Sequence, residues 1–100
     1  MATVTKVLFR GAASTSSTTL YTVPSATTTI VTNILVANTA ATGATFDLSI
    51  NDIQIANDVT VAANDTLSID LKQVFNATQT IKGLASATTV NFHISGVEIV

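Results

Sequence analysis

Apolar and polar residues alternate with a period of two through most of this chain, the mark of strands with one buried and one wet face. Phe46, Leu48 and Ile50 alternate with Thr45, Asp47 and Ser49, and Leu67, Ile69 and Leu71 alternate with Thr66, Ser68 and Asp70. Near the carboxyl end Val90, Phe92 and Ile94 alternate with Thr89, Asn91 and His93. Beyond them the phase changes, because Val97 and Ile99 are odd-numbered where the earlier set is even. A bulge at Ser95-Gly96 is expected to return both sets to one face. Further strands are predicted over Thr3 to Phe9, Thr18 to Val23, Thr28 to Ala37, Ile53 to Ala56, Asp58 to Ala62 and Thr80 to Ala85. The strand from Thr28 to Ala37 has Ile30, Ile34 and Val36 on one face and Val31 and Leu35 on the other. Either it is central and covered on both sides, or its second face meets another subunit.

Turn chemistry separates these runs. Gly11 to Ser17 is a loop of small polar residues, Pro24-Ser25-Ala26 is a turn, and Asn38 to Gly43 joins two strands. Asn51-Asp52 and Asn64-Asp65 stand where residues that tolerate left-handed backbone are wanted. The chain therefore reads as all-β, an antiparallel β-sandwich or jelly roll of about eight or nine short strands with turn signals roughly every 8 to 12 residues. Composition points the same way. Nineteen threonines and eleven valines, β-branched and suited to a pleated surface, stand against one proline and four glycines. The fourteen alanines fall mostly in short clusters such as Ala12-Ala13 and Ala40-Ala41, with no helical stripe beside them.

One hundred residues, 47 % apolar and 10 % charged, suffice for one domain with its own core and exclude a charge-solvated tail. A net charge of −2 supplies no broad positive field, so neither nucleic acid nor an anionic membrane surface is an expected partner. There is no cysteine, hence no disulfide framework and no thiolate metal site. The first residues lack a secretory pattern and no apolar run approaches the roughly 20 residues of a membrane span, so synthesis in the cytoplasm is expected.

Candidate chemistry is sparse. His93, the single histidine, has no nucleophile or orienting carboxylate at readable spacing and is expected as an exposed strand residue. Asp47, Asp52, Asp58, Asp65 and Asp70 do not follow the calcium-loop pattern and fall in turns or on strand faces. The four glycines are isolated and none opens a helix, as a phosphate-cradling loop would require. No catalytic, cofactor-binding or metal-binding residue is predicted. Charge, however, is unevenly spread. Residues 1–46 carry +2 from Lys6 and Arg10, and residues 47–70 carry −5. This is balance within one molecule or complementarity between neighbours.

The order of segments resembles small virion structural proteins of tailed bacteriophages. The residues that carry the resemblance are Leu20-Tyr21-Thr22-Val23-Pro24, a Thr-rich turn, and Ile30-Val31-Thr32-Asn33-Ile34-Leu35-Val36-Ala37-Asn38-Thr39. Val61 to Asp70, Asn76 to Ile81 and a closing strand ending Ser95-Gly96-Val97-Glu98-Ile99 follow in the matching places, so that residues 18–100 are covered. The resemblance implies a non-enzymatic head decoration (cement) protein on the capsid surface of the virion, bridging subunits of the major capsid protein. A host- or carbohydrate-binding module of a head or tail fibre is the alternative, weakened by the small number of aromatic residues.

A homo-oligomer, specifically a trimer, is expected, with Val31, Leu35 and the out-of-phase Leu84 as contacts. Residues 1–17 are expected as an amino-terminal strand and flexible loop, a possible arm, ahead of a β-sandwich domain at 18–100. Lys6 and Arg10 would fasten that arm to acidic groups of a neighbour.

Overall fold

Nine strands take up the β-branched runs: β1 (Thr3–Ala12), β2 (Thr18–Thr22), β3 (Thr28–Asn38), β4 (Ala44–Ile50), β5 (Ile53–Val61), β6 (Thr66–Ile69), β7 (Gln73–Phe75), β8 (Thr80–Ala85) and β9 (Val90–Ile99). In the computed structural model, which describes residues 2–100, one sheet has the order β1-β9-β3-β6, with β7 also paired to β3, and the other has the order β2-β8-β4-β5. Every pairing is antiparallel. Two four-strand orders interleaved in this way are the jelly roll, the arrangement by which an antiparallel chain closes two sheets over one core. The all-β sandwich expected from the alternation is therefore the observed fold.

The core lies between the sheets. Val31, Ile34 and Val36 of β3 and Val90, Phe92 and Ile94 of β9 are fully buried against Phe46 and Leu48 of β4 and Ile81 of β8. Each such aliphatic side chain contributes about 1.5–3 kcal/mol on leaving water. Phe46 and Phe92 bridge the sheets edge to face, with ring centroids 6.0 Å apart and planes at 73°. That geometry adds about 0.5–1.5 kcal/mol beyond the area buried.

Several boundaries differ from expectation. The two short strands predicted on either side of Asn57 are one strand, β5, because the Asp47 carboxylate accepts from the Asp58 backbone N–H at 2.7 Å and from the Gln54 amide at 3.1 Å. Those bonds hold Asp58 in left-handed backbone, φ 50°, and carry the strand across the irregularity. The hairpin at Asn51-Asp52 has the expected positive φ at both residues, 50° and 63°, as a tight two-residue turn requires.

Of the expected arm at 1–17, the described residues 2–17 do not stand apart from residues 18–100. β1 pairs with β9 from Thr3 opposite Ile99 to Ala12 opposite Asn91, and Ala2 and Val100 exchange backbone hydrogen bonds of 2.7 and 2.9 Å. The connection is pinned as well: Ala13 donates to Val90 of one sheet, and Ser14 accepts from Ala85 of the other. Leu8 and Ala13 are buried in the core.

The expected bulge in β9 is absent. β9 keeps one phase throughout, with Val90, Phe92, Ile94, Gly96 and Glu98 facing inward, and the irregularities fall in its neighbours, between Val7 and Phe9 in β1 and between Val31 and Asn33 in β3. The cause is a close approach at Gly96. A Cβ there would stand 2.4 Å from the Ile30 carbonyl oxygen, 3.0 Å from a Leu8 methyl and 3.2 Å from the Val31 Cα. The strands on both sides bulge around this point, and Leu8 fills the space that a side chain would have taken.

Two outcomes follow in chemical denaturation. Gly96→Ala is expected to cost about 1–3 kcal/mol, since backbone rather than a pliable side chain blocks the new methyl. Thr78→Gly is expected to stabilise by about 1 kcal/mol, because Thr78 is an exposed β-branched residue held at φ 71°. An unchanged midpoint for either variant contradicts the corresponding account of the backbone.

Candidate interaction surface

The phase change in β1 and β3 decides which side chains look outward. On the outer face of the five-stranded sheet Thr5, Val97, Ile30 and Val74 lie in one row across β1, β9, β3 and β7. Thr3, Ile99 and Thr28 form the row beside it, and Val7, Ser95 and Asn33 the row on the other side. Val74 is 63 % exposed and Val7 44 % exposed, and Ile30, Val97 and Ile99 are half-buried. The result is an apolar stripe bordered by threonines, serine and asparagine. A shallow open groove of about 410 Å³ runs alongside it, lined by Thr5, Lys6, Val7, Thr32, Ser95, Gly96 and Val97.

The inner end of the same strands holds an acid. Glu98 faces inward and is only 6 % exposed. Its carboxylate accepts from the Tyr21 hydroxyl at 2.5 Å and from the Lys6 ammonium at 3.3 and 3.4 Å, while the Tyr21 hydroxyl also lies 2.9 Å from the Thr29 hydroxyl. The hydrogen bond from Tyr21, more than the nearby Lys6 charge, holds the Glu98 carboxyl below the usual carboxylate range against the opposing effect of burial. Burial and then the bond to Glu98 push the Tyr21 phenol from its ordinary 10.0 up to about 12. Among the described residues no fully buried side-chain polar atom lacks a partner, and no group of three or more His, Asp or Glu side chains stands close enough to share a metal ion.

The five residues expected at contacts are not brought together. Val31 is fully buried in the core, because the bulge at Thr32 places it in phase with Ile34 rather than opposite it. Lys6 is bonded to Glu98 of its own chain, so it is not a free charge awaiting the acidic stretch of a neighbour. Leu84 is half-buried on the outside of the other sheet, opposite Asp47. Leu35, 37 % exposed, and Arg10 share a row on the outer face of the five-stranded sheet, with the exposed His93 between them. Arg10 makes no ion pair among the described residues. The stripe of Ile30, Val74 and Val97 was not anticipated. Its signal was the odd-numbered phase of Val97 and Ile99, which the expected bulge had turned inward.

No protein-family model matches the chain, and none of the curated proteins matches it in sequence. Solved structures do match in shape. A chain of the infectious bursal disease virus particle superposes with a TM-score of 0.58 at 11 % identity, over 97 % of this chain and 30 % of that one. A chain of the Gx strain of infectious bursal disease virus superposes at 0.52 and 14 % identity, over 97 % and 29 %. An exo-β-1,3-galactanase from Phanerochaete chrysosporium reaches only 0.49 at 15 % identity, over 93 % and 26 %. The protein thus spans less than a third of the length of these chains. What it shares with the virus-particle chains is a fold, and a jelly roll serves many unrelated functions.

The Tyr21–Glu98 pair generates a pH prediction with two branches. Ionised Glu98 stabilises the fold above the ordinary carboxylate pKa, and this is lost as pH falls through its lowered folded value. Glu98→Gln should flatten that acid limb of a stability–pH curve. Neutral Tyr21 stabilises below its ordinary 10.0, and this is lost as pH rises through about 12. Tyr21→Phe should remove the alkaline loss and cost about 1.5 kcal/mol at neutral pH. Parallel curves for wild type and both variants would dismiss the coupling.

Proposed function

We infer that this chain is a non-enzymatic structural protein of a virus particle, and more narrowly a head decoration (cement) protein of a tailed phage that lies on the capsid and bridges subunits of the major capsid protein. The observation that carries this reading is the outward apolar stripe of Ile30, Val74 and Val97 on a sandwich whose interior is otherwise complete. A rigid sheet face with an apolar centre and a polar rim is the anatomy of a protein contact rather than of a reaction site. The fold shared with virus-particle chains and the resemblance of residues 18–100 to phage virion proteins support the same reading.

A fibre module that stacks sugars is the weaker alternative on the aromatic side chains alone. Phe46, Phe75 and Phe92 are fully buried, and Phe9 and Tyr21 pack half-buried against the core. None of the five offers an exposed ring face for a sugar.

The mechanism of a cement protein is mechanical. Each copy covers a joint between shell subunits, and many identical contacts of modest strength sum over the particle. The sandwich suits this because its two hydrogen-bonded sheets deform little under load, so strain at one subunit is passed to the next.

The test is reconstitution. Phage heads lacking the protein are mixed with the purified chain and followed by cryo-electron microscopy and by the temperature at which the heads release DNA. Ordered density on the outer shell and a raised release temperature are expected. Val74→Asp, a change at a 63 % exposed position, should leave the fold intact and weaken head binding by about tenfold or more, as expected for a charge placed in an apolar contact. Density confined to tails, or heads that neither bind the protein nor gain stability, would reject the reading.

A further inference from the structure

Each sheet of an open sandwich ends in two edges, and three of the four edges here are broken up. β2 pairs with β8 in two pieces, shifted between Thr19 and Tyr21. β5 is shifted twice against β4 and contains the left-handed Asp58. The edge opposite β1 is divided between β6, four residues, and β7, three residues. Short and interrupted edges resist pairing with other chains. β1 is different: ten residues long, with no proline and a single bulge, and with its outer edge unpaired among the described residues.

The five-stranded sheet also has matched ends. Four rows cross it without interruption from β1 to β6: Phe9–Ile94–Ile34–Ile69, Arg10–His93–Leu35–Ser68, Gly11–Phe92–Val36–Leu67 and Ala12–Asn91–Ala37–Thr66. Both end segments are four residues long and unbulged. Because the neighbours in β1-β9-β3-β6 are all antiparallel, β6 runs opposite to β1. A second copy's β1 laid antiparallel on β6 would therefore continue the sheet with the same alternation and the same inner and outer faces.

We propose that this protein self-associates head to tail, the Phe9–Ala12 edge of one copy pairing antiparallel with the Thr66–Ile69 edge of the next. Charge favours this partner over β1 of a second copy. β1 carries Arg10, which makes no ion pair among the described residues, and no acid, so a two-fold β1–β1 joint along Phe9–Ala12 gathers like charges. β6 is flanked by Asp65 and Asp70. Alternation places Asp70 on the outer face with Ser68, one diagonal step from an Arg10 seated opposite Ser68. The Asp70 side chain is 82 % exposed, its contact with Lys72 is loose at 3.8 Å, and Arg10 has no ion pair among the described residues. On the inner face, the half-buried Phe9 ring of the arriving copy, which lies over Gly11 of its own strand, would meet Ile69 and Leu67, the latter 36 % exposed at this edge. A head-to-tail joint of this kind builds rings when its rotation closes, the trimer expected from the sequence among them, and filaments when it does not.

The proposal stands apart from the head-protein reading, and it is tested on the purified chain alone. The protein contains no cysteine, so a disulfide can be placed at will. Ala12→Cys combined with Thr66→Cys should give covalent ladders under mild oxidation. Within one molecule these positions lie three strand spacings apart, about 14 Å, too far for an internal bridge. Single-cysteine variants give dimers at most. Sedimentation of the wild-type chain should show concentration-dependent oligomers. Arg10→Glu or Asp70→Lys alone should weaken them about tenfold, with the two changes together restoring association. A folded double-cysteine protein whose thiols react with a small probe yet form no ladder, or a wild-type chain monomeric at high micromolar concentration, overturns the proposal. So does charge reversal without rescue.

Discussion

The arrangement of the five-stranded sheet depends on one missing side chain. Gly96 lies in the middle of β9 with the Ile30 carbonyl so close that a methyl group has no room. β9 stays straight because it has nothing to accommodate. Its two neighbours take up the irregularity, β1 at Leu8 and β3 at Thr32. A bulge reverses which side chains of a strand face the core, so both strands change phase at the level of Gly96. From that reversal come the burial of Val31 and the outward turn of Ile30, while β9, keeping its phase past Gly96, turns Glu98 inward and Val97 and Ile99 outward. The apolar stripe and the buried acid are thus two consequences of the same close approach.

Burial alone favours a different answer. A bulge within β9 at Ser95-Gly96 would turn Val97 and Ile99 into the core, each gaining about 1.5–3 kcal/mol, and leave Glu98 in water. The observed arrangement forgoes that gain. It is held by a hydrogen-bonded set: Tyr21 and Lys6 donate to Glu98, and Thr29 completes the environment of the Tyr21 hydroxyl. A buried carboxylate left without those donors would be costly, so the set is worth having only if it is complete. Its members come from β1, β2, β3 and β9, and a slip of any one of these strands by a residue would break it. The network acts on register, the property that a period-two pattern specifies least well where both faces carry apolar residues.

The same contrast explains what was legible in the sequence. The sandwich was, because alternation over 46–50, 66–71 and 90–94 needs no tertiary information, and the Asn51-Asp52 turn was, because its chemistry is local. The placement of the bulges was not. Alternation reveals that a phase change occurs but not which of three adjacent strands absorbs it, and a glycine in a strand points as readily to a bulge at itself as to a close neighbour. Val31 was therefore set on a contact face it does not occupy, and Val97 and Ile99 were set in the core. The pairing of Lys6 with Glu98, 92 residues away, lay equally beyond a reading of charge by segments. Where local pattern and final structure disagree, the cause is a demand from outside the strand, and in this protein the disagreement coincides with the apolar surface left exposed.

That coincidence bears on what the surface is for. An isolated domain gains nothing by keeping Ile30, Val74 and Val97 on its outer face while spending two donors, Tyr21 and Lys6, on an internal carboxylate. The balance changes if the outer face is covered in use, for then both sides of the sheet are interiors and the valines contribute at the joint rather than in the core. β3, with apolar residues on both faces, fits that condition: it is central to its own sandwich on one side and would be central to the proposed assembly on the other. In such a joint the face would supply area, and the open backbone edge of β1 beside it would supply direction. Area without an edge permits sliding, and an edge without area is weak in water. A joint repeated over many identical copies needs both on one side of the molecule, and here the apolar face and the open edge lie side by side along β1 at Thr5 and Val7.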